Sequence, residues 1–89
     1  MDFNKLNSEL YQLSAPHRFA KKPTELDKGY LKIADWLGDV CFHFEQRRKN
    51  QEKCDEDEFK ALIESYKAKV NALDDSEYKR GLLKALSEV

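Results

Sequence analysis

Between Leu26 and Phe44 the apolar residues Leu26, Tyr30, Ile33, Leu37, Val40 and Phe44 recur at intervals of four and three. A strand needs period two, whereas this spacing is one face of an α-helix, a seam about two and a half heptads long. Ala34 and Cys41 widen the seam, Leu31 and Phe42 extend it on one edge, and Trp36 extends it on the other. At about 100° per residue the resulting arc is broader than a helix with a single neighbour requires. The segment is therefore predicted to be a central helix contacted on two sides. Thr24, just after Pro23, is placed to cap its start, and Glu25 and Asp27 put negative charge in the first turn, where the helix dipole favours it.

Three further segments share the helical period. Phe3, Leu6, Leu10 and Leu13 give one apolar face from about Asp2 to Leu13. Ser14–Pro23 then reads as a linker, since Pro16 and Pro23 each disfavour helix at the residue before them. A third helix is predicted from about Asp55, with Asp55 and Glu58 at capping-box spacing and Phe59, Leu62, Ile63, Tyr66, Val70 and Leu73 inward. The run "LDDSE" at 73–77 supplies cap residues for a short fourth helix with Tyr78, Leu82, Ala85, Leu86 and Val89 inward. Gly81 is expected to weaken that helix by roughly 1 kcal/mol relative to alanine. The fold class is thus all-α: a small antiparallel bundle of three main helices and a short C-terminal one, in a single domain over residues 1–89.

An 89-residue chain has a thin core, so packing must be good or a second copy must help. Charged residues make up 37% of it, yet the apolar residues are periodic, which argues for a folded chain. The net charge of −1 gives no overall field toward nucleic acid or an anionic membrane. No stretch approaches the roughly 20 apolar residues of a membrane span. The N-terminal "MDFNKLNSEL" has no signal-peptide core, so Cys41 and Cys54 are expected to be reduced thiols in a cytoplasmic protein.

The local charge pattern is sharper than the total. The central helix continues past Phe44 into Arg47, Arg48, Lys49 and Lys53, and "DEDE" follows at 55–58. Cations favour a helix C-terminus and anions an N-terminus, and an antiparallel turn sets the two side by side. Helix-end electrostatics therefore accounts for the switch. The same four cations are also candidates for an anion, and they carry the alternative reading of a nucleic-acid-associated protein.

Nothing in the chain has the form of an enzyme. His17, His43, Cys41 and Cys54 lack metal-site spacing, and no metal or other cofactor is expected. Cys41 lies on the apolar arc, where a thiol is inert, and no glycine-rich phosphate loop occurs. The preferred function is a small non-catalytic protein-binding or regulatory module, of the adaptor, chaperone or inhibitor kind. Trp36, Phe42 and Leu31, on the flanks of the arc, are its candidate contact residues, since aromatic side chains dominate binding hot spots. If the first and third helices lie on either side of the second, Phe42 is covered and Trp36 is left partly exposed. A homodimer through the second helix, with Trp36 or Phe42 near its centre, would use the same flanks.

Overall fold

The computed structural model describes residues 2–50 and 56–89 of the chain. Among the described residues four helices make up an all-α bundle: α1 (Phe3–Arg18), α2 (Glu25–Lys49), α3 (Glu56–Asn71) and α4 (Glu77–Ser87). The bundle is an elongated slab of 43 × 29 × 14 Å. In so thin a body every helix keeps an outer face.

The long second helix is central, as its broad arc requires. Gly29, Tyr30, Ile33, Ala34, Leu37, Val40, Cys41 and Phe44 are buried along it. Asp35 and Asp39, on the opposite side, face solvent. Its start is a full capping box: Asp27 N–H donates to Thr24 Oγ1 at 3.2 Å, and Thr24 N–H donates to Asp27 Oδ2 at 2.9 Å.

The flanking helices differ from the expected arrangement. The backbones of α1 and α4 pack directly on α2, whereas α3 packs its backbone on α4 and meets α2 only through long side chains. Those bridges run antiparallel: Trp36 stacks on Tyr66 with ring centroids 4.4 Å apart, Phe44 meets Phe59 edge-on at 5.5 Å, and Arg47 reaches Glu58. Phe3 of α1 joins the Phe44–Phe59 cluster at 5.2 Å from each ring. Because α1 and α4 take the two flanks of the seam, Phe42 is not covered and remains 59% exposed.

The α2–α4 contact depends on two glycines. A Cβ on Gly29 would overlap the carbonyl oxygen of Tyr78, and one on Gly81 would overlap that of Leu26. Each helix thus presents a bare backbone where the other crosses it, and the two approach more closely than side chains permit. The expected weakness of Gly81 is the local cost of this contact, and Leu82, Ala85 and Leu86 are buried beside it.

The first helix also departs from its predicted end. It continues through Pro16 to Arg18 rather than stopping at Leu13. Pro16 removes the N–H that would serve the carbonyl of Gln12, but Gln12 is exposed, so water is available to that carbonyl. The hydroxyl of Ser14 donates to the Tyr11 carbonyl at 2.7 Å, and the N–H of Phe19 closes the end on Ala15 O at 3.0 Å. The extra turn carries His17 and Arg18 onto α2, and that tertiary gain overrides the local cost of proline. The buried face runs Phe3, Leu10 and Ser14, so Leu13 points outward.

Three other residues assigned inward are exposed. On α3 the seam is Phe59, Ile63, Tyr66 and Val70; Leu62 lies one residue off it, and Leu73 falls beyond the helix end. Val89 lies just past the end of α4 and is also partly exposed. Ser76 caps α4, accepting from Lys79 N–H at 3.0 Å. The predicted cap at Asp55 lies outside the described residues, as do Lys53 and Cys54.

Gly81→Ala separates propensity from packing. In an open helix this change stabilises by about 1 kcal/mol. Here a net loss of about 2 kcal/mol or more is expected in urea melts, because the methyl group meets backbone that has no room to yield. Gly38→Ala is the control: its Cβ would meet only the Asn7 side-chain oxygen, at 3.2 Å, so it should be neutral or stabilising.

Candidate functional site

The residues singled out from sequence fall on different surfaces. Leu31 and Phe42 lie on one ridge of α2, eleven residues and so about 16 Å apart, with Asp35 and Gly38 between them. Leu31 is half-buried and Phe42 is exposed. Trp36 is on the opposite flank, half-buried and stacked on Tyr66. The three therefore do not form one patch, and Trp36 is occupied in holding α3 to α2.

The ridge of Leu31 and Phe42 borders an open groove between α1 and α2. Asn7, Tyr11, Ser14 and Arg18 line it from α1, and Ala34, Asp35, Gly38 and Asp39 from α2. Its volume is about 280 Å³. Arg18 organises the polar side. Its guanidinium donates to Asp35 Oδ1 at 2.9 Å and lies 5.5 Å from the centre of the Tyr11 ring, a cation–π contact. Arg18 Nε is buried without a hydrogen-bond partner. Tyr11 is as exposed as Phe42, at 59%, so two aromatic side chains rise from the two helices that border one groove. With Arg18 on Asp35, the carboxylate of Asp39 gives the groove a net negative character.

Sequence reasoning did not single out Tyr11, and it placed Arg18 among the linker cations rather than on a helix. The signal was present in the 7-11-18 spacing of Asn7, Tyr11 and Arg18, a polar stripe beside the apolar face. It was hidden by the assignment of Arg18 to a linker.

In the basic cluster Arg47 and Arg48 both face carboxylates of the chain. Arg47 grips both oxygens of Glu58, at 3.1 and 3.2 Å, and its guanidinium lies 5.1 Å from the centre of the Phe44 ring. Arg48 faces Glu45 Oε2 at 3.8 Å, an ion pair too long for a hydrogen bond. Lys49 is exposed at the end of the helix. The Arg47–Glu58 contact is the helix-end pairing expected of an antiparallel turn.

Cys41 and the His17–Asp27 pair lie apart from the basic cluster. Cys41 is buried, and burial pushes its thiol up to about 11, so it is not a nucleophile at neutral pH. His17 Nδ1 lies 2.6 Å from Asp27 Oδ1, and its ring stacks on Tyr30 at 4.1 Å between centroids. Asp27 also holds the capping box, so one carboxylate caps α2 and ties it to the end of α1. Among the described residues no group of three His, Cys, Asp or Glu side chains is placed to hold a metal ion. No described helix is long and apolar enough to cross a membrane.

The Asp27 carboxyl is held below the usual carboxylate range, first by the Thr24 N–H and then by His17. Its stabilising effect is therefore complete above the unfolded-state value near 4 and is lost as pH falls through the lower folded value. Asp27→Asn should lower the melting temperature at neutral pH and flatten its fall below about pH 4. Thermal melts from neutral pH down into that acid range check both.

No protein-family model, curated protein or solved structure matches this chain.

Proposed function

We propose that the chain is a small non-catalytic protein-binding module and that it meets its partner with the α1–α2 face. The observation that carries this reading is the pair of exposed aromatics, Tyr11 and Phe42, one on each helix bordering a single groove. Aromatic side chains are enriched among binding hot spots, and both rings are open to a partner. Asp35 and Asp39 line the groove, which suits a partner segment with apolar and basic side chains.

A second copy of the chain is a competing occupant. The dimer expected from sequence would use the flanks of the seam, and of these Trp36 is stacked on Tyr66 whereas Phe42 is exposed. Only the Leu31–Phe42 ridge is left to carry such a contact. The alternative of nucleic-acid binding loses support from the pairing of Arg47 with Glu58.

A photo-crosslinking residue replacing Phe42 should capture a discrete partner from native cells, and the same probe at exposed Glu64 on α3 should not. The double variant Tyr11→Ala, Phe42→Ala should lose that partner while its unfolding free energy from urea melts changes by less than about 1 kcal/mol, as expected of exposed positions. Capture that is equal at both probe sites overturns the reading. A crosslinked species at twice the chain mass assigns the face to self-association.

A further inference from the structure

A second groove lies between α2, α3 and α4, where the backbones of α2 and α3 stand apart. Tyr66, Val70, Leu73, Tyr78 and Leu82 form its walls, and Lys32 and Lys69 stand at its rim. It encloses about 280 Å³. Leu73, at its edge, is 50% exposed. The charge of this groove is opposite to that of the α1–α2 face: its lining holds two lysines and no carboxylate. Among the described residues neither lysine is held in an ion pair, whereas Lys28 and Lys67 are held by Glu25 and Glu64. The Trp36–Tyr66 stack ties α3 to α2 beside the groove. Lys79 donates to the carbonyls of Asn71 and Leu73 at 3.2 and 2.8 Å, which fixes the turn that forms the end of the groove.

We infer that this groove docks an acidic amphipathic helix of a partner protein. Leucine-type anchors at i and i+4 would fill the space above Val70 and Leu82, and Glu or Asp on the helix flanks would meet Lys32 and Lys69. An open trough with an apolar floor and a charged rim fits a helix laid along it, with anchors giving affinity and rim charges giving orientation. This site is independent of the α1–α2 face and on the other flank of α2.

The test uses the full chain and two fluorescein-labelled helical peptides. One carries leucines at i, i+4 and i+7 flanked by glutamates, and the other has lysines in place of the glutamates. The acidic peptide should bind saturably by anisotropy, weaken as salt is raised, and shift the emission of Trp36, whose stacking partner lines the groove. The basic peptide and the double variant Lys32→Glu, Lys69→Glu should each bind about tenfold or more weakly, since the attraction becomes repulsion. Both lysines are exposed, so the variant should keep its circular dichroism and urea midpoint. Leu73→Ser should weaken binding through the anchors alone. Tyr11→Ala with Phe42→Ala should bind the acidic peptide as the native chain does, which keeps this result separate from that for the other face. Absence of saturation, equal binding of the two peptides, or unchanged binding by the lysine variant overturns the inference. So does saturable uptake of decanoate without peptide binding, which would assign the groove to a small anionic amphiphile.

Discussion

The architecture depends on one contact, the crossing of α2 and α4 at Gly29 and Gly81. Each glycine lies against the backbone of the opposite helix, with no side chain between them. That closeness places Leu82, Ala85 and Leu86 in the core beside α2. It also fixes the position of α3, which is joined to α4 by a short turn and has to reach α2 over a wider gap. The aromatic bridges Trp36–Tyr66 and Phe44–Phe59 span that gap. The lysine-rimmed groove is the part of it that they leave unfilled.

The other flank of α2 is held by polar contacts at its ends as well as by apolar packing. Asp27 receives the Thr24 N–H and faces His17, so the start of α2 and the end of α1 share one carboxylate. About two turns along α2, Arg18 binds Asp35. In a slab this thin the apolar core is a strip, and ion pairs at its margin set the register of α1 more sharply than apolar burial does. Of the four side chains in these pairs Asp35 is exposed and the other three are half-buried. Their contribution is to position the Tyr11 ring beside the groove.

The central helix was legible because its period is regular and both of its flanks are apolar. Thr24 and Asp27 announced its start by residue type alone, and the pairing of Arg47 with Glu58 followed from the charge switch near residue 50. The rest was hidden for physical reasons. Pro16 is a local breaker whose effect was overridden by contacts ten and seventeen residues away, His17 with Asp27 and Arg18 with Asp35. Gly81 has the same local cost whether it weakens a helix or permits a crossing, and only its neighbours distinguish the two. Phe42 sits on a broad apolar arc, and periodicity does not say where the neighbouring helices stop. Phe42 was nonetheless singled out by its place on the flank of that arc. Tyr11 was not, because it stands outside the 3-6-10-13 apolar face of α1 and periodicity gives no reason to choose it.

The uneven attachment of the helices also bears on how the chain opens. Backbone-to-backbone packing joins α1, α2 and α4 through the central helix, whereas α3 reaches α2 by the tips of a few long side chains. Resistance to local opening follows the density of buried contacts, so amide protection should be graded along the chain. It is highest at the α2–α4 crossing and lowest on the outer face of α3. The bundle is therefore a rigid triplet of helices with a looser fourth, and the looser one forms a wall of the basic groove.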